Sequence, residues 1–328
     1  MRTIFFKNKP KIISVSTVAG PKESAGCIGK YIETRLSDDT FGETSFEMAE
    51  SKMLYTAIKN SIKNSSKKEE EIDAIMAGDL LDQIISSTFA LRNFNSGYLG
   101  LYNACATFTE ALTVGGTLID GGYLKNVACA TSSHFSSAER QYRYPLELGC
   151  TRPPQAQWTV TGAGACVLSM EGKGPKLVSS TIGKIIDFGV TDANNMGAAM
   201  APAGADTLCT HFKETGLTPN DYDLIFTGDL GVLGSRILKD LVYDKGYDIE
   251  KQHVDCGELI YNLCEKEYQG ASGAGCISLV FCSYIYEKLL NKKLNKVLIM
   301  ATGALLSSVS SQQGESIPGV AHAVSIEC

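Results

Sequence analysis

The sequence predicts an α/β protein in which two similar units stack as α/β/α/β/α layers. Three observations predict it. Short segments recur in one order along the 328 residues, strand-like and helix-like apolar periods alternate within each recurrence, and one segment per recurrence is helical yet built from small residues.

The recurrences set the plan. PKIISVST (residues 10–17) returns as PKLVSST (175–181), IDAIMAGDL (72–80) as YDLIFTGDL (222–230), and LKNVACATSS (124–133) as LNKVLIMATG (294–303). Asp229 lies 150 residues after Asp79 and Pro175 lies 165 after Pro10, so loops of unequal length interrupt a common design. Three matches in one order argue for duplication, with halves at 1–172 and 173–328.

Within each half the elements follow in turn. FEMAESKMLYTAIKNSIKN (46–64) places Phe46, Met53, Ala57 and Ile58 at helical spacing and ends in the solvated run SSKKEEE. AIMAG and LIFTG are short apolar runs closed by Gly, as expected of strands covered on both faces. The helices ATFTEALTVGGTLIDGG, after Cys105, and GASGAGCISLVFCSYIYEKLL, from Gly270, are rich in Gly, Ala, Ser and Thr and so permit close approach to flanking sheets. Strands VACATS or VLIMAT, then AGACVLSM or AHAVSIE, complete each unit. Glu110 lies inside the first small-residue helix and there needs exposure or a hydrogen-bond partner.

Composition narrows the function. With 30 Lys and Arg against 36 Asp and Glu, the net charge of −6 offers no basic field for a nucleic acid. The eleven cysteines are odd in number and sit in apolar segments, which reads as reduced, buried thiols. No CxxC pair occurs, and His134, His211, His253 and His322 lie far apart, so no metal site is expected. GTLIDGGY and TGAGA lack both the GxGxxG spacing and a phosphate-loop lysine, so no nucleotide cofactor is expected. The N-terminus lacks a signal-peptide core and no apolar run is long enough to cross a bilayer, so the chain is expected to start in the cytosol and to reach a membrane through partners. Trp158, before a glycine-rich strand, reads as packing, and His211, in a helical segment, as a solvated or capping group.

Cys105 is the residue with chemical promise. In YNACATF it stands where a loop enters the first small-residue helix, and the positive end of that helix favours thiolate over thiol, the state a nucleophile needs.

YNACATF, WTVTGAGACVLSM (158–170) and the duplicated halves together resemble the thiolase superfamily, in particular its ketoacyl-acyl-carrier-protein synthase III branch. The resemblance covers essentially the whole chain and implies a five-layer thiolase-like fold, a homodimer formed through the N-terminal half, and a match of Cys105 to the acylated cysteine. It also implies a His and an Asn or second His, from the C-terminal half, that stabilise an enolate. Where these should stand the chain reads FTGDLGVLG (226–234) and KEYQG (266–270). Losing an oxyanion donor costs about 10²–10³ in rate, so condensation is not expected. A synthase III-like acyltransferase is the alternative. ATSSHFSSAERQYRYPLELG (130–149), TRPPQAQWTVTGAGACVLS (151–169) and the tail VSSQQGESIPGVAHAVSIE resemble a non-enzymatic branch, the stage V sporulation AD family of endospore-forming bacteria. That resemblance implies binding of dipicolinic acid, free or as its calcium salt, during uptake into the developing spore and release on germination. It further implies integral membrane channel subunits as partners and a peripheral place at the spore inner membrane, where reduced cysteines favour the forespore side. A flat ring with two carboxylates needs an apolar slot with donors at both ends. Cys105, Thr131, Ser132, Ser133 and His134 are the expected ligand contacts, with Arg140, Arg143 and Arg152 the nearest guanidinium groups in sequence.

Overall fold

The first half contributes β1 (Lys11–Ala19), β2 (Ala74–Gly78), β3 (Gly97–Gly100), β4 (Asn126–Ser133) and β5 (Gly162–Ser169). The second contributes β6 (Lys176–Thr181), β7 (Leu224–Thr227), β8 (His253–Asp255), β9 (Lys296–Ala304) and β10 (Gly319–Glu327). The structure is a computed structural model that describes residues 1–142, 152–261 and 269–328. Strands run β3-β2-β4-β5-β1 in one half and β8-β7-β9-β10-β6 in the other, the same order twice. Parallel pairing joins β2 to β3 and β4, and β7 to β8 and β9, whereas β5 and β10 run antiparallel to their neighbours. The halves meet where Lys11 of β1 faces Lys176 of β6.

The helices that fill the layers are α1 (Phe46–Asn64), α2 (Ile85–Leu91), α3 (Thr107–Asp120), α4 (Phe135–Tyr142), α5 (Met196–Thr215), α6 (Gly231–Tyr243) and α7 (Ala274–Val280). After α7 the chain continues through a wide turn at Phe281–Ile285 into Tyr286–Leu290. Ser45 starts α1 by accepting from the Met48 amide, and Met53, Leu54, Ala57 and Ile58 bury its apolar face on β1, β4 and β5. On the far side α5 covers β9 and β10. Between the sheets, α3 touches strands of both halves and α7 packs on β4 and β5, which completes the α/β/α/β/α order. Glycine permits this closeness. A Cβ at Gly164 would lie 2.3 Å from the Ser278 carbonyl oxygen, and one at Gly275 would lie 2.6 Å from that of Gly162.

Two side chains read from sequence settle here. Trp158 stacks on Phe135 with ring centres 3.8 Å apart, a packing role. His211 is neither solvated nor a cap. It lies on the buried face of α5 beside Leu208 and Phe212, its ring nitrogens 2.7 Å from Thr181 Oγ1 and from the Tyr222 hydroxyl, and burial holds its pKa at about 4.

The core also encloses two carboxyl groups. Glu50 of α1 accepts from Ser132 Oγ at 3.0 Å and Ser137 Oγ at 3.1 Å, while Asp79, just after β2, accepts from Leu81 N at 2.9 Å and from Ser87 N and Oγ at 2.7 Å. Burial first, and the neighbouring Asp79 next, push the Glu50 carboxyl up to about 8. An unfolded Glu titrates near about 4.3, so folded-state stability is full below that pH and is lost as pH rises from there through about 8. Glu50→Gln should therefore match the parent protein in urea unfolding near pH 4 and exceed it by up to about 5 kcal/mol at pH 8, each pKa unit of the rise being worth about 1.4 kcal/mol. Equal destabilisation at both pH values would contradict this account.

Candidate functional site

Cys105 precedes the N-cap residue of α3, Ala106, and is buried. Ala104, at φ 50°, turns the chain into the helix in the left-handed region, at a cost of about 1–2 kcal/mol for a residue with a Cβ. The loop presses on β9, where a Cβ at Gly303 would stand 2.3 Å from the Asn103 carbonyl oxygen. Glu110, in the first turn of α3, has one oxygen buried without a partner, and burial raises its pKa. His322 reaches this loop through Asn103, at 3.3 Å.

A cleft of about 40 Å³ opens onto the sulfur, room for a few waters at about 10–15 Å³ each. Tyr102, Tyr142, Met196 and Leu306 wall it, and Thr159 and Ser272 supply hydroxyls. The Tyr102 and Tyr142 oxygens are 3.2 Å apart, and Tyr142 donates to the Leu80 carbonyl.

Behind this wall lies Asp229, carried by the loop from β7 to α6 and 1% exposed. Its Oδ2 accepts from Ser272 Oγ at 2.8 Å and Gly273 N at 3.0 Å, its Oδ1 from Thr302 Oγ1 at 3.1 Å, and Gln157 Nε2 donates to its backbone carbonyl at 2.7 Å. Ser272, whose proton goes to Asp229, can accept from the Cys105 thiol, the sulfur lying 4.0 Å from its Oγ. Burial raises the Asp229 pKa against the pull of these donors. One step further back, Asp255 accepts from Thr227 Oγ1, Leu230 N and Gly231 N, and burial lifts it to about 7.

This setting corrects the thiolate expectation. Burial first, then the Asp229 charge, push the Cys105 thiol well above its ordinary range. The helix end is worth about 0.3–1 kcal/mol in exposed settings, too little to outweigh burial and a carboxylate one hydroxyl away.

The residues read from sequence as ligand contacts are parted from Cys105. Thr131 donates to the Ala274 carbonyl at 2.6 Å, Ser132 to Glu50, and Ser133 to the Val160 carbonyl at 2.7 Å while accepting from Gly275 N. His134 is a neutral imidazole whose Nδ1 accepts from Ser136 N at 3.1 Å, so that Nε2–H donates to the Asp39 carbonyl at 2.8 Å; burial lowers its pKa. All four are fully buried and none lines the cleft. β4 lies between β2 and β5 with α1 on one face and α7 on the other, so its hydroxyls bind the layers together. Arg140 pairs with Glu47 and Arg152 with Glu139, Arg152 also donating to the Gln157 carbonyl; Arg143 lies outside the described residues. Sequence reasoning missed Asp229, Ser272 and the two tyrosines as site residues. The repeated GDL and the GASGA string were the available signals for the first two.

A protonated, buried Cys105 should react slowly. Iodoacetamide at pH 7.5 should modify the exposed Cys27 at least about tenfold faster, measured by peptide mass spectrometry. Labelling of Cys105 at the Cys27 rate would reverse the assignment of its protonation state.

The chain matches the family Stage V sporulation protein AD (SpoVAD) over residues 1–327. It is 41% identical over 326 residues to Stage V sporulation protein AD of Bacillus subtilis (strain 168), which covers 99% of this chain and 96% of that protein. In fold it is similar to 3-oxoacyl-[acyl-carrier-protein] synthase III from Aquifex aeolicus VF5, at 15% identity and a TM-score of 0.57 over 97% of this chain and 100% of that one. It is likewise similar to a single-residue variant of OleA from Xanthomonas campestris, at 11% identity and a TM-score of 0.63 over 99% and 98%. On a thiolase-like fold, then, the chain belongs to the stage V sporulation protein AD family.

Proposed function

We propose that this sporulation protein of the SpoVA system is a non-enzymatic binder of dipicolinic acid, acting in dipicolinate uptake into the developing spore and in its release on germination. The observation that carries the reading is the chain Cys105 Sγ–Ser272 Oγ–Asp229 Oδ2, which sets a buried carboxylate one hydroxyl behind the sulfur. A carboxylate beside the sulfur opposes a thiolate, and it opposes an enolate in the same space, so the arrangement suits binding better than condensation. Against the acyltransferase alternative stands the same arrangement.

The ligand is assigned to the Cys105 cleft, where Tyr102, Thr159 and Ser272 offer hydroxyls and Met196 and Leu306 offer apolar walls. Thr131 to His134 would have to give up the hydrogen bonds that join the layers, so they support the cleft from behind. The cleft must widen for a pyridine ring. Tyr102, 44% exposed at its rim, would swing aside by giving up its 3.2 Å bond to the Tyr142 hydroxyl. We further propose a homodimer formed along β3, which ends the sheet and exposes Tyr98 and Leu99, and peripheral attachment at the spore inner membrane through integral channel subunits. No helix among the described residues is long and apolar enough to cross a membrane.

Calorimetry with dipicolinate tests the ligand. Binding should saturate, Cys105→Ala should weaken it by about 1–2 kcal/mol, and pyridine-2-carboxylate should bind distinctly worse because donors at one end stay unpaired. Ketoacyl product from acyl-CoA and malonyl donors, abolished by Cys105→Ala, would replace the binding reading with the enzymatic one. Light scattering should give twice the chain mass, and Leu99→Lys should halve it by charging the edge.

A further inference from the structure

We propose that Asp229 is a proton switch for the Cys105 cleft: by taking up one proton it turns the Ser272 hydroxyl from donating inward to donating into the cleft, so that an anionic ligand binds together with a proton. The proposal rests on the dipicolinate reading above and adds its regulation.

The argument is a hydrogen-bond inventory. While Asp229 is charged it receives the protons of Ser272, Gly273 and Thr302, and Ser272 Oγ in turn can accept from the Cys105 thiol 4.0 Å away. Ser272 and Cys105 line the cleft, so the wall they form shows a ligand only oxygen and sulfur lone pairs. Among the described lining residues there is no Lys, Arg or His. A carboxylate pressed against this wall thus meets acceptors, with a second carboxylate one hydroxyl away.

Protonation reverses this order. A carboxylic acid at Asp229 can donate to Ser272 Oγ, and Ser272, now an acceptor on its inner side, is free to turn its own proton to the ligand. The amide of Gly273 and the hydroxyl of Thr302 keep their acceptor oxygens. One proton is gained, no covalent bond to the ligand forms, and the wall changes from acceptor to donor.

The surroundings favour uptake. Asp229 is faced by Cys105 at the start of α3, by Asp255 and Cys256 at and after β8, and by Cys276 on α7, all acids; Gln157 is neutral. The guanidinium of Arg152, held by Glu139 and the Gln157 carbonyl, does not join the lining. Burial raises the Asp229 pKa in keeping with this.

Calorimetry with dipicolinate from pH 6 to 9, in paired buffers of different ionisation heat, tests the switch. Above the Asp229 titration the Kd should rise by up to about tenfold per pH unit, with uptake approaching one proton per ligand. Asp229→Asn should bind with the low-pH affinity at every pH and take up no proton, and Asp255→Asn should keep the slope. The proton count on the unaltered protein stands whether or not either variant folds. A pH-independent affinity with no proton uptake, or an unchanged slope in Asp229→Asn, rejects the switch and leaves the binding reading intact. Absence of saturable binding at every pH rejects both.

Discussion

The close approach of two helices to two sheets is the constraint from which the rest of this molecule follows. α3 and α7 occupy a middle layer so thin that β5 tolerates no side chain at Gly164 and α7 none at Gly275. A methyl group there would collide with backbone at 2.3 and 2.6 Å, so that relief needs movement of a strand or helix rather than of a side chain. The same compression brings the start of α3 against Gly303 on β9 and places Cys105 beside Ser272, which is bonded to Asp229, both from the other half. A site shared between halves is thus a product of layer spacing.

Compression has an electrostatic cost. Polar groups that enter so dense an interior must find partners, and they do so with hydroxyls and amides: Glu50 with two serines, Asp79 with Ser87 and two amides, Asp255 with Thr227 and three amides. None of these bonds brings a cation to offset the charge, so burial dominates and each carboxyl titrates above its ordinary range. Unpaired by lysine or arginine, these acids are sensitive to small changes in solvation.

Much of the architecture was legible in the sequence because duplication writes the same pattern twice. The GDL segments fixed two equivalent strand ends, and the small-residue helices fixed the middle layer; the repeated strand order agrees with both. The site was legible at Cys105 alone. Thr131 to His134 follow a strand end and read as open to a ligand, but whether a strand end is open depends on what covers it, and α1 and α7 come from residues far away in the chain. His211 misled for a related reason: its helical neighbours Thr207 and Leu208 show a small polar and an apolar residue, and only the packed α5 reveals that both point inward. Tyr102 and Tyr142, forty residues apart, meet only in three dimensions.

Asp79 and Asp229 show how a duplicated position acquires two roles. Each follows the buried strand that carries the repeat, and each is held by hydroxyl and amide donors. Asp79 takes its amides from Leu81 and Ser87, residues of its own loop and of α2, and so organises local chain. In the second half that task belongs to Asp255, which receives the amides of Leu230 and Gly231 at the start of α6. Relieved of it, Asp229 turns its oxygens toward the seam and accepts from Ser272, Gly273 and Thr302, where Cys105 arrives from the first half. One acidic position therefore shapes a turn in one half and sets the protonation of a cleft in the other, and the difference lies in which neighbour supplies the amides.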